Sequence, residues 1–379
     1  MASTSEKKVS SYYIPDDIAF SILSKLPIKS LKRFFCVRKS WSLLFENPNF
    51  IYMFHNNFLS KSHSLYDDVS IILNQFASPD FHWNLYLLSG EKLESKVKLD
   101  FPPPFHIQQN GVTLTRILSS AINGILCIYD CDNHTKAILW NPATKEIKVI
   151  PPSLGEFSPE FRTVFTLHGF GYDHVSDDYK VIQHVSYFVF DGGPWDNVIP
   201  DPFWEIYSLK RNSWRKLEFF TQPRYYDIDT EVYLNGVCHW LGKTIDKTHV
   251  VSFDLCNEVF FFTPSPLEDV HDDFDVHLVG LNGNVAMISN YKNTSSFHIS
   301  ILGELGVKES WIRLFDVGPL SSIDHPIGTG KKGNIFFRKE NDELVCLDLT
   351  TGVIEEIGFK GEKLWCQMVV YKENLRPIR

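Results

Sequence analysis

No run of about 18 apolar residues occurs in the 379-residue chain, so no membrane-crossing helix is expected. The opening MASTSEKKVSSYY lacks the apolar core of a secretory signal. Basic side chains are in deficit, 37 Lys+Arg against 46 Asp+Glu, for a net charge of −9. That balance argues against nucleic-acid binding by broad phosphate neutralisation. Cysteines are few, odd in number and scattered, at 36, 127, 131, 238, 256, 346 and 366. Without a secretory signal they read as reduced thiols of a protein in the cytoplasm and/or nucleus. What the chain does hold is 44% apolar and 14% aromatic residues, ample for a packed core.

Reactive constellations are also scarce. No Gly-x-Ser-x-Gly elbow is present, and no cysteine stands beside a histidine as a candidate nucleophile. HPIGTGKKGN lacks a first glycine at His325 and a Ser or Thr at Lys332, both of which a phosphate loop needs. It reads as a turn opening a strand. His271, Asp272, Asp273, Asp275 and His277 in VHDDFDVH offer metal-ligand chemistry, but no second ligand cluster partners them. Cys127 and Cys131 lack two further ligands for tetrahedral zinc. No catalytic residues, no metal site and no cofactor are therefore assigned.

The stretch IPDDIAFSILSKLPIKSLKRFFCVRKSW carries apolar residues at helical spacing. Pro15 suits a first helical turn, and Asp16 and Asp17 sit favourably at the positive end of the helix dipole. Ile18, Ile22 and Leu26 recur every four residues, with Ala19 and Leu23 beside them. The residue before Pro27 disfavours the α region, which closes the first helix. A second helix carries Leu31, Phe34 and Phe35, a third runs from about 37 to 45, and Asn47-Pro48 stops it. Three short helices in some 40 residues cannot bury all of this apolar surface among themselves. Either a partner protein or the following domain must cover it.

The order Ile14-Pro15-Asp16-Asp17-Ile18, Ile22 to Leu31, Phe34, Cys36-Val37, Lys39-Ser40-Trp41 and Pro48-Asn49-Phe50 closely resembles the F-box of plant F-box proteins. The resemblance implies docking onto a Skp-type adaptor, and through it a cullin, in an SCF-type E3 ubiquitin ligase. By position it assigns Ile14, Pro15, Asp17, Ile18, Ile22, Leu26, Pro27, Leu31 and Trp41 to adaptor binding. Ile14 stands where leucine is usual, a volume-conserving change, and Arg38 where many members have cysteine.

Behind this module a repeat is legible. NGILCIY at 123, NGVCHWL at 235, NGNVAMIS at 282 and KGNIFFR at 332 each enter an apolar strand through a tight turn. Hairpins such as AILWNPATKEIKVI and VVSFDLCNEVFFFTP follow. Units of roughly 40–50 residues with about four strands are the period of propeller blades. Six fit, the terminal KLWCQMVVYKE strand closing the ring against the first. This part is similar to the kelch-like F-box-associated interaction domain of plant F-box proteins, the self-incompatibility type included.

The expected fold is thus multidomain: a disordered N-terminus (1–11), a small all-α three-helix F-box (12–52), a linker (53–66) and an all-β propeller, six-bladed (67–375). The resemblance implies a non-catalytic receptor that holds a protein target near a charged ubiquitin carrier. Loops of several blades converge on propeller binding sites, and aromatics and arginine anchor protein interfaces. Trp195, Arg224, Tyr225 and Tyr226, in the long segments near 186–205 and 221, are the candidate target contacts, Trp195 and Tyr225 reading equally as core, whereas Phe203 and Trp204 read rather as the start of a strand and core. The target is unknown; neither nucleic acid nor membrane is expected as a partner. A scaffold outside ubiquitin ligation and a glycan-reading propeller are the alternatives.

Overall fold

The computed structural model describes residues 14–26, 28–35, 37–60, 69–77, 82–103, 105, 115–130, 136–158, 160–189, 200–218, 231–243, 247–267, 274–291, 294–320, 322–330, 333–362, 365–375 and 377–378. The chain forms two compact units, Met1–Lys61 and Ser62–Arg379.

The first unit contains helices α1 (Asp16–Leu23), α2 (Ile28–Phe35), the single turn α3 (Lys39–Ser42), a 3-10 turn at Leu44–Glu46, and α4 (Pro48–Ser60). Helix α4 extends through 53–60, which the sequence reading gave to a linker, and adds a fourth helix to the expected three. Asn47-Pro48, read as a stop, is also a start. The Asn47 side-chain oxygen accepts hydrogen bonds from the Asn49 and Phe50 amides at 3.0 and 3.3 Å. Pro48 then fills the first helical position, where its missing N–H is harmless. Phe50, Phe54 and Phe58 recur every fourth residue and stack in sequence at 6.1 and 6.2 Å. Phe20 of α1 meets Phe50 edge-on at 5.7 Å. The Asn57 amide donates to the buried Ser24 hydroxyl at 2.8 Å, tying α4 to the end of α1.

The second unit is a six-bladed propeller of six four-stranded antiparallel sheets. Five blades come from consecutive strands. The remaining blade pairs the C-terminal strand Trp365–Tyr371 with Ser70–Ala77, Ser70 opposite Tyr371 and Phe76 opposite Trp365. Chain ends thus close the ring, as the repeat pattern predicts. The blades' inner strands, Thr115–Ile122, Phe161–Asp173, Val232–Leu234, Phe274–Leu281, Ile323–Thr329 and Trp365–Tyr371, neighbour one another around the axis.

Turn chemistry explains the blades. Asn123-Gly124, Asn235-Gly236 and Asn282-Gly283 join inner strand to second strand, all six with φ between 48° and 85°. A two-residue hairpin of the favoured hand needs positive φ at both positions, and Asn and Gly tolerate it best. Outer hairpins share another device. Side chains of Asn141, Asp254 and Asp348 accept from the amide two residues on, at 3.0, 2.8 and 2.7 Å. Lys145, Glu258 and Gly352 follow in the left-handed region. Between blades, indole N–H groups donate to carbonyls of the preceding blade's exit segment: Trp214 to Pro151 at 2.8 Å and Trp311 to Pro264 at 3.0 Å.

Apolar cores lie between adjacent blades. One joins Leu118, Cys127 and Leu139 to Leu167, Phe170 and Tyr207; another joins Ile182, Trp204 and Ile206 to Trp240, Val251 and Phe253. Blades approach so closely that a Cβ on Gly169 would lie 2.5 Å from the Cys238 Cβ. Trp204 is buried, which settles its reading as core.

Candidate functional site

The helical unit presents one side of α1 to solvent. Ala19 and Leu23 are buried, while Ile14, Ile18 and Ile22 stand 46%, 49% and 53% exposed. The four-residue spacing puts Ile18 and Ile22 on one stripe, with Ile14 one turn before. Pro15 and Asp17 are exposed beside them, and Asp16 pairs with Arg38 at 3.5 Å. Phe34 and Val37 add further exposed apolar surface. Trp41 is half-buried, its ring 6.1 Å from Phe34, and its indole N–H is buried without a hydrogen-bond partner. Leu26 is half-buried, whereas Leu31 is fully buried and can only support such a surface from within. Pro27 lies outside the described residues.

In the propeller, strand direction alternates across each blade, so connections fall on two faces. One face holds the tight turns between first and second and between third and fourth strands. The other is where the strands end that flank the second-to-third and blade-to-blade connections, including 100–114, 150–160, 190–202, 217–231 and 265–273. Trp195, Arg224, Tyr225 and Tyr226 belong to two of these long segments and lie outside the described residues. The strands flanking both segments end at the long-connection face.

A channel of about 670 Å³ runs among the inner strands. At its long-connection end stand Glu231, Asp275, His277, Asp324, His325 and Trp365. The His277 and His325 rings stack at 6.2 Å. Burial pushes Asp324 up, but His325 and the Arg338 guanidinium, both in contact with it, outweigh that and hold its carboxyl below the usual range. Burial lowers His325 below 6.5 despite the Asp324 charge, leaving the ring neutral at pH 7. Arg116 lies 3.9 Å over the Trp365 ring. The mouth therefore sets Glu231, Asp275 and an Asp324–Arg338 pair beside flat rings, with Arg116 on the Trp365 face.

This site was only half legible. Asp275, His277 and His325 drew attention as metal or phosphate motifs; their shared position at the mouth comes from ring closure. His325 and Asp324 lie in the strand Ile323–Thr329, so the phosphate-loop look-alike begins as strand. His271, Asp272, Asp273 and Cys131 lie outside the described residues, and among the described residues no group of three acidic, His or Cys side chains is placed to hold a metal. Cys127 is fully buried, which drives its thiol pKa up. Burial likewise lowers His184 to about 4 and His239 to about 3, so both are neutral at pH 7.

The F-box associated beta propeller domain matches residues 71–375. F-box protein CPR1 of Arabidopsis thaliana is 25% identical over 370 residues, spanning 92% of this chain and 84% of that protein. F-box protein At1g30790 of the same plant is 27% identical over 325 residues, spanning 82% and 77%. F-box/kelch-repeat protein At3g23880, also from Arabidopsis thaliana, is 24% identical over 336 residues, spanning 86% and 85%. Six blades closed by the C-terminal strand, and a match across nearly the whole ring, agree: the chain belongs to the F-box associated β-propeller family.

Proposed function

We propose that this protein is the substrate-recognition subunit of an SCF-type E3 ubiquitin ligase. Residues 14–60 act as the F-box and dock on a Skp-type adaptor, and through it a cullin; the propeller binds the protein to be ubiquitylated. The chain supplies no catalytic group and acts by raising the target's effective concentration near the ubiquitin carrier, in cytoplasm and/or nucleus.

The observation that carries this reading is the row Ile14, Ile18 and Ile22, each about half exposed on a helix whose other side is buried. Fully burying an isoleucine contributes about 1.5–3 kcal/mol, so covering the remaining half of three contributes roughly 2–5 kcal/mol. Pro15, Asp17 and Trp41 flank that row, and Leu26 and Leu31 hold the helices beneath it. Trp195, Arg224, Tyr225 and Tyr226 remain the proposed target contacts, on segments that leave the long-connection face.

The test is capture of purified Skp-type adaptor by the full chain and by Ile18→Asp/Ile22→Asp. A loss of at least about 100-fold in affinity is expected, with unchanged thermal unfolding of the propeller. A reconstituted ligase should then transfer ubiquitin to captured proteins with the parent chain only. Equal capture by both chains overturns the proposal. Capture without any transfer would instead favour a scaffold outside ubiquitin ligation.

A further inference from the structure

The three Asn-Gly turns of the propeller share one backbone form but not one environment. At Gly236 a Cβ would have the His174 ring as its nearest neighbour, 3.5 Å away, and at Gly283 nothing lies within 4 Å. At Gly124 it would lie 2.6 Å from the Cβ and 2.9 Å from the amide nitrogen of Asn374. Asn374 belongs to the segment that follows the ring-closing strand Trp365–Tyr371, which ends on the tight-turn face. From there residues 372–375, 377 and 378 cross the neighbouring blade, whose four strands lie between Thr115 and Val149. The Asn141 side-chain amide donates to the Asn374 backbone carbonyl at 2.8 Å. The Ile378 N–H donates to the Glu146 carboxylate at 2.9 Å. The Ile378 side chain packs on the core between this blade and the next, where Leu118, Tyr179 and Trp214 meet.

We propose that residues 372–378 are a strap that holds the ring shut, seated on the Asn141 side chain and the bare Gly124 turn. Asn141, Asp254 and Asp348 fill the same place in three outer hairpins, each accepting from the amide two residues on. A carboxylate does that as well as an amide does, but only Asn also has an N–H to give. The Asn stands in the blade that the strap crosses, where the carbonyl of Asn374 receives it. Topology supplies the reason for a strap. Each of the other five inner strands is joined to the second strand of its own blade by a short turn, whereas Trp365–Tyr371 pairs with Ser70–Ala77 without one. Fraying of that strand would open the ring locally, at a lower cost than global unfolding. Anchoring the chain beyond Tyr371 on the next blade opposes the fraying and adds apolar contact at a second seam. The strap concerns the propeller alone and stands whether or not the chain serves a ligase.

Hydrogen exchange of the full chain tests this, read by mass spectrometry on the closing strands 70–77 and 365–371 against 248–254 on the far side of the ring. Asn141→Asp keeps the turn-capping oxygen, loses the donor and sets a carboxylate against the Asn374 carbonyl. It should speed exchange of the closing strands at least about fivefold and that of 248–254 less than about twofold. Gly124→Ala and Gly283→Ala put the same residue at φ of 79° and 74°, so backbone strain is shared and only the first meets Asn374. The first should speed the closing strands at least about threefold more than the second. Removing residues 374–379 should do as much as Asn141→Asp does. In that shortened chain Asn141→Asp should add less than about twofold, and the excess of Gly124→Ala over Gly283→Ala should vanish. Closing strands unmoved by the shortening, equal acceleration by the two glycine variants, or an Asn141→Asp effect undiminished in the shortened chain overturns the proposal. Should the shortened chain fail to fold, the glycine pair in the full chain decides by the same criterion.

Discussion

The isoleucines of α1 and the apolar residues of the blades meet different fates. Ile18 and Ile22 are about half exposed, yet Leu167, Phe170 and Val181 of one blade and Val250, Val251 and Phe253 of the next are at 0%. Repetition makes the difference. Each blade is apolar on two faces, and its neighbours in a closed ring cover both. A few helices of four to thirteen residues have no repeating neighbour, so part of their apolar surface stays open to another molecule. In the propeller burial serves stability; in the helical unit incomplete burial leaves the surface that the proposed adaptor would cover.

The largest test of that contrast pairs one truncation from each region. Phe253→Ala should destabilise the propeller by about 3–5 kcal/mol, read as a lowered denaturation midpoint. Ile22→Ala in the free protein should cost under about 1.5 kcal/mol, since only half of its side chain is covered. Similar costs for the two would erase the distinction. A Gly169→Val change should come next, at about 1–3 kcal/mol, because its first added atom already meets Cys238 between two blades.

Acid should separate the regions too. His184 is held at about 4 by burial, below its ordinary 6.5. Above pH 6.5 it is neutral folded or unfolded and adds no slope. Between 6.5 and about 4 only the unfolded chain takes the proton, so propeller stability should fall by about 1.4 kcal/mol per pH unit for this residue. Urea midpoints of the parent and His184→Asn should converge towards pH 4.5; a constant gap from pH 7.5 to 4.5 would sink the assignment. Asn47→Ala is the smallest effect expected, about 1 kcal/mol from loss of the α4 cap. It should be visible in helical signal and adaptor affinity with the propeller midpoint unmoved.

Much of this was legible from residues alone. Asn-Gly pairs at 123, 235 and 282 marked hairpins because few other dipeptides take positive φ twice. Alternation beside them marked strands, and the spacing of the units gave the blade count. Helix α4 was missed: Asn47-Pro48 is punctuation that both ends one helix and caps another, and a stop was the reading chosen. The linking of Trp214 to Pro151 and of Trp311 to Pro264 was invisible, because each partner lies 47 or more residues away. Of the channel mouth, Asp275, His277 and His325 stood out only as metal and phosphate look-alikes that their sequence neighbours do not support, since their neighbours in space come from other blades.

By itself the sequence determined the division into a short helical module and a strand repeat, the turn types, and the positions of apolar faces, because these follow from local periodicity and backbone preference. Only the tertiary structure decided which apolar residues stay uncovered and which charges share a face. Exposure and field depend on what ring closure brings alongside each side chain, and separation along the chain carries almost no information about that.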